Sequence, residues 1–220
     1  MTTVDAQARA GEALDAGDLD LAERLYLASL TQSAKAKLGA QTSAATAHWG
    51  LYHVYYRRDS WEVALNRCRL AAEEASGSDY AICSEIRRAA PLAELDLLFL
   101  MGKWTQVEQR AGVLLRSCDE DDNGELFQYR GRALMRLRRP ADALLDLERA
   151  LAVIDPRDGG LALLLRDLGL AQIQAGLGEG AAETFEILAR YPDEAIETRH
   201  LTGRAAALAL AERARKSIRA

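Results

Sequence analysis

Proline is scarce, at four in 220 residues, and aromatic residues make up only 6%. Runs rich in Val, Ile and Thr are also missing, which disfavours a β-sandwich, a barrel or a parallel-sheet enzyme. Cys68, Cys83 and Cys118 are the only cysteines. An odd number without Cys-x-x-Cys spacing fits neither a disulfide framework nor a zinc site, and reads as reduced, mostly buried thiols of a cytoplasmic protein. The longest apolar stretch, Ala89 to Gly102, is broken by Pro91, Glu94 and Asp96, so no membrane span is expected. The opening MTTVDAQARAGEALDAG has no basic region followed by an apolar one, so no secretory signal is expected. A surplus of positive charge is lacking too. The net charge is −5, which argues against wholesale attraction to nucleic acid or anionic lipid.

What is present is helix-forming. Ala, Leu, Arg and Glu dominate, hydrophobic residues reach 49% and charged residues 28%. Apolar residues recur at three- and four-residue steps almost throughout, and strict alternation is absent. Short punctuation falls at Ala16-Gly17-Asp18, Arg58-Asp59-Ser60, Met101-Gly102-Lys103, Arg139-Pro140 and Ala175-Gly176. Longer breaks fall at Gly39, Ser76 to Asp79, Ser117 to Gly124 and Asp155 to Gly160. Short turns alternating with longer ones predict stacked helical hairpins. Pro91 stands inside an otherwise helical pattern, so a kink or break is expected near Ala89–Ala90, with Pro91 opening a new helix.

The hairpins read as copies of one another. A small or apolar anchor sits early in each second helix, at Ala22, Ala64, Val107, Ala143 and Ala181. Three residues before the anchors stand Leu19, Trp61, Trp104, Pro140 and Gly178, and four after them Tyr26, Cys68, Ala111, Leu147 and Phe185. Five before them stand Gly17, Asp59, Gly102, Arg138 and Gly176, where a left-handed residue would end the first helix. This phase resembles the tetratricopeptide repeat (TPR), most closely in Leu168-Gly169, Ala181-x3-Phe185 and Pro192. Anchor spacings of 42, 43, 36 and 38 residues resemble long-repeat variants of that family. The resemblance implies an all-α, right-handed solenoid of about five hairpins over residues 1–192 (units 4–38, 42–76, 79–117, 124–155 and 159–192). A capping helix is expected over 193–220, with Ile196, Leu201, Leu208 and Leu210 toward the last hairpin and Glu197, Arg204, Arg213 and Arg215 toward water.

Several motifs could carry chemistry. Asp119-Glu-Asp121-Asp-Asn123-Gly124 reproduces the first half of a calcium loop, but its twelfth position is Arg130 where a bidentate glutamate is required. It is read as a solvated acidic loop, and no metal or cofactor is expected. His48 and His53 are five apart and diverge around a helix. Gly176-Leu-Gly178-Glu-Gly180 has no preceding strand and reads as a turn. The segment Tyr129 to Arg139 holds five arginines, read as a helix face paired with Glu125, Asp142 and Asp146 rather than a nucleic-acid patch. No nucleophile has a legible base beside it, so no enzyme is expected.

The TPR resemblance implies a concave face lined by the first helices. Positions 15, 11 and 8 before each anchor give Trp49, His53 and Tyr56, then Leu92, Asp96 and Phe99. They continue with Gln128, Arg132 and Met135, then Arg166, Leu170 and Ile173. Such a face suits a peptide or amphipathic helix with an acidic group, although apolar members at helical spacing could equally be inter-repeat core. The expectation is a non-catalytic scaffold or adaptor that holds a segment of another protein. A bacterial sensor module that binds a small ligand or peptide and controls a transcriptional complex is the second reading, and homo-oligomerisation through the solenoid edge the third.

Overall fold

The computed structural model describes residues 2–35, 40–117, 123–154, 160–190 and 203–217, with side chains omitted for 203–206 and 217. Eleven α-helices and no strand are found among these residues. The chain divides into two compact units, residues 1–102 and 103–220. The first holds α1 (Thr3–Asp15), α2 (Leu19–Ser33), α3 (Ala40–Arg57), α4 (Trp61–Ser76) and α5 (Ala81–Leu100). The second holds α6 (Trp104–Leu115), α7 (Gly124–Arg136), α8 (Pro140–Val153), α9 (Gly160–Gln174), α10 (Gly178–Leu188) and α11 (Gly203–Ser217). Within each unit every helix packs on its successor, and the pairs α1–α3, α3–α5 and α7–α9 touch as well.

The repeat phase sets these helix bounds. All five second helices begin at the residue three before the anchor, from Leu19 to Gly178. All five anchors are fully buried, and the residues four positions later are buried too. The turn position five before each anchor has positive φ in every copy, at Gly17 (80°), Asp59 (54°), Gly102 (71°), Arg138 (62°) and Gly176 (79°). At four of these turns the backbone N–H that follows reaches back five residues: Asp18 to Ala13, Ser60 to Tyr55, Arg139 to Leu134 and Leu177 to Gln172. That is the Schellman closure, which satisfies carbonyls at the helix end. Glycine suits it, whereas Asp59 and Arg138 adopt it at a steric cost.

Small residues let the helices approach closely. A Cβ on Gly169 would lie 2.6 Å from the Phe185 ring, so the glycine of the Leu-Gly pair makes room for the buried aromatic of the same hairpin. Gly50 does the same for Tyr26, at 2.2 Å. The first unit's core gathers Ala10, Leu14, Ala22, Tyr26, Ala47, Leu51 and Val54 from three helices. In the second unit one cluster joins α7, α8 and α9, and another joins α9, α10 and α11.

Two sequence expectations need correction. α5 runs unbroken through Pro91, so no new helix opens there. Buried residues stand on both sides of the proline (Cys83, Ile86 and Ala90 before it, Leu95, Leu97 and Leu98 after), and their packing outweighs the roughly 3 kcal/mol that proline costs a helix. In α11 the face against α10 is made by Ala207, Ala211 and Ala214, while Leu208 is 46% exposed. Leu208 stands roughly a quarter-turn from that alanine stripe, which alone permits close helix contact. Leu210 packs at its edge, and Arg213 and Arg215 face water, with Arg215 paired to Glu186. Ile196, Glu197, Leu201 and the Arg204 side chain lie outside the described residues, as do Pro192, Cys118 and Asp119 to Asp122. Cys68 and Cys83 are buried free thiols.

Candidate functional site

All twelve side chains assigned by repeat phase are half-buried, neither sealed in the core nor fully exposed. In the first unit, Trp49, His53 and Tyr56 follow one another at four- and three-residue steps along α3 and therefore share a face. Their rings interlock around buried Tyr52. Trp49 stacks on Tyr52 at 4.7 Å between centroids and meets His53 edge-on at 5.1 Å, and Tyr52 tilts against Tyr56 at 5.8 Å. Such pairs are worth about 0.5–1.5 kcal/mol each beyond burial, so the stack holds its own shape. The Tyr56 hydroxyl crosses to α5 and donates to Asp96 Oδ2 at 3.0 Å. Leu92 and Phe99 lie one turn to either side of Asp96 on that helix.

Burial, then the Arg57 charge, lowers the His53 pKa, so its ring is neutral at pH 7. Burial also pushes the Tyr52 hydroxyl well above its usual range, helped by Cys68 and Asp96. His48 looks elsewhere. Its Nδ1 lies 3.4 Å from an Arg67 guanidinium nitrogen, and burial followed by that charge lowers its pKa to about 4. The two histidines thus have different surroundings and do not form a pair. Among the described residues no group of three or more His, Cys, Asp and Glu is placed to hold a metal ion.

In the second unit three of the assigned residues converge on one carboxylate. Asp167 on α9 is almost fully buried. It accepts from Arg166 at 2.7 and 3.1 Å, from Gln128 Nε2 at 3.4 Å, and pairs with Arg132 Nε at 3.3 Å. Burial of such a carboxylate is tolerated because its oxygens are paired. Met135 packs at the edge of the α7–α8–α9 core, and Leu170 and Ile173 at the edge of the α9–α10–α11 core. Sequence reasoning passed over Tyr52 and Asp167. The signal for Asp167 was a lone acid in the apolar run Leu161 to Leu170, which demands a buried partner.

The arginine-rich segment is mostly occupied within the protein. Arg130 grips Asp146 with two bonds of 2.6 and 2.7 Å, and Arg139 reaches Asp142 and Glu108. Arg136 lies over the Trp104 ring. Among the described residues Asp142 and Asp146 serve as expected and Glu125 does not, while Glu108 and Asp167 are further partners. Among the described residues no helix is long and apolar enough to cross a membrane.

No family model and no curated protein matches the chain. Solved structures do. One is YrrB, described as a TPR protein with an unusual peptide-binding site, 17% identical over 96% of this chain and 90% of its own, with a TM-score of 0.61. Another is a tetratricopeptide repeat protein from Parabacteroides merdae, 15% identical over 96% of this chain and 98% of its own, with a TM-score of 0.44. The chain has the all-α fold of a TPR-like helical repeat protein.

Proposed function

We propose that this protein is a non-catalytic adaptor that binds peptide or helix segments of a partner protein, on the face carried by α3 and α5 in the first unit and on that carried by α7 and α9 in the second. The single observation that carries the reading is the half-buried state of all twelve phase-assigned side chains, with rigid aromatics and arginines among them. Trp, Tyr and Arg are the residues that most often dominate binding energy at interfaces. Here their shapes are already fixed, by ring stacking in the first unit and by Asp167 in the second, so little side-chain entropy remains to be lost on binding. The likeness of fold to YrrB, itself described as having a peptide-binding site, supports the same class of ligand. A reducing cytoplasm keeps Cys68 and Cys83 as thiols.

The test is selection of peptides from a displayed random library on the full chain, followed by affinity and thermal unfolding of Tyr56→Ala and Arg132→Ala. Each substitution is expected to weaken the selected peptides that bind its own unit's face about ten-fold while costing about 1 kcal/mol of stability. Asp167 keeps Gln128 and Arg166 when Arg132 is removed. Failure to enrich any peptide, or equal binding by both variants, overturns the proposal. Recovery of a tightly held small molecule from the purified chain, displaced by neither variant, favours the sensor reading instead.

A further inference from the structure

The second unit carries a cleft of about 660 Å³ on other helix faces, bounded by α6, α7 and α8. None of the twelve concave-face residues lines it. Four arginines, Arg116, Arg130, Arg139 and Arg149, face three acids there, in a chain whose net charge is −5. The acids are already engaged. Asp146 is held by Arg130, and Glu108 and Asp142 share Arg139. Among the described residues Arg116 has no carboxylate partner, and Arg149 meets the Phe127 ring, 5.7 Å from its centroid.

Backbone geometry brings these cations together. Gly112 on α6 is buried, and a Cβ there would lie 3.7 Å from an Arg130 nitrogen and 3.9 Å from an Arg116 nitrogen. Two guanidinium groups thus converge over bare backbone. Arg130 lies 5.7 Å from the same Phe127 centroid that Arg149 approaches. Arg130 is matched by Asp146 and Arg139 by Glu108 and Asp142, whereas Arg116 and Arg149 hold no carboxylate among the described residues, so four arginines against three acids leave the cleft one net positive charge. Beside them stand two large apolar side chains that the fold leaves in water, Val113 (46% exposed) on α6 and Leu145 (57% exposed) on α8. Like charges held close without counter-ions raise local potential and attract anions, and guanidinium forks bind carboxylates with defined geometry.

We propose that this cleft is a second binding site, for an acidic segment of a partner protein whose carboxylates meet Arg116 and Arg149 and whose apolar side chain rests on Val113 and Leu145. The mixture of charge and exposed apolar surface favours a peptide over a bare polyanion, because phosphate backbones offer nothing to Val113 and Leu145.

The test measures fluorescence anisotropy of a labelled Glu-Glu-Leu repeat peptide on the full chain at low and high salt. A Lys-Lys-Leu peptide and a single-stranded oligodeoxynucleotide serve as competitors. The acidic peptide should bind, weaken with salt, and lose affinity at least about ten-fold in Arg116→Glu with Arg149→Glu. The milder pair Arg116→Gln with Arg149→Gln should lose several-fold with unchanged melting temperature, which separates lost binding from lost folding. Leu145→Ser should weaken the peptide without altering its salt dependence. Tyr56→Ala with Arg132→Ala should leave this binding intact, so that failure of the concave-face proposal and failure of this one are told apart. Absence of binding, equal binding by the charge-reversed pair, or preference for the oligonucleotide overturns the inference. Binding that appears only after Asp119, Glu120, Asp121 and Asp122 are changed to Asn or Gln also overturns it, by making the chain's own acidic run the occupant.

Discussion

Gly50→Ala isolates the packing device that seats Tyr26 between helices. The added methyl carbon would lie 2.2, 2.4 and 2.6 Å from three atoms of the Tyr26 ring, against about 3.4–4 Å for ordinary contact. The ring must therefore retreat by more than about 1 Å. It is buried in a cluster with Leu25, Leu51 and Val54, so retreat pushes on neighbours that have no space to give. Overpacking costs about 1–3 kcal/mol, and three simultaneous close approaches place this case at the upper end. Alanine returns about 1 kcal/mol through its better helix propensity. The net expectation is a loss of about 2 kcal/mol, or a Tm lower by about 4–8 °C for a chain of this size, read by far-ultraviolet circular dichroism. The reasoning has a sharper check in a double-mutant cycle. With Tyr26→Ala already made, Gly50→Ala should become neutral or stabilising, a coupling of about 2–3 kcal/mol. A Tm that rises in Gly50→Ala alone, or a loss that persists after Tyr26 is truncated, refutes the packing argument.

Arg138→Gly should stabilise the protein by about 0.5 kcal/mol in thermal unfolding. It relieves a left-handed backbone cost of about 1–2 kcal/mol at φ 62°, offset by the larger entropy of glycine in the unfolded chain. Asp167→Ala should cost about 2–3 kcal/mol in denaturant titration, because it removes the buried carboxylate that Arg132, Arg166 and Gln128 share; a loss under about 0.5 kcal/mol would show the cluster to be surface-like. Stability should fall as pH drops from 6.5 toward about 4. The folded His48 pKa is depressed, so the unfolded chain binds the proton more readily in that window, and His48→Gln should flatten the slope. Millimolar calcium should leave Tm unchanged if Asp119 to Gly124 is a plain loop, and a saturable rise abolished by Asp121→Ala would reverse that reading.

The sequence by itself determined the helices and their turns. Anchors at one phase, apolar steps of three and four, and a left-handed position five residues earlier are local properties. They fixed helix starts from Leu19 to Gly178 and the burial of Ala22, Ala64, Val107, Ala143 and Ala181. Periodicity also named the side of α3 that bears Trp49, His53 and Tyr56, because a helix maps spacing directly onto a face. What these faces contain was decided by tertiary structure. Tyr56 meets Asp96 at a separation of 40 residues, and Gln128 meets Asp167 at 39, about one repeat apart in each case. No local pattern specifies which side chains meet across stacked first helices, since that depends on how closely small residues such as Gly50 and Gly169 let helices approach. The same physics kept α5 whole through Pro91 and turned α11 onto its alanines rather than Leu208. Propensity assigns each residue a preference of about 1–3 kcal/mol, and burial of a helix face sums many such quantities, so packing prevails where the two conflict.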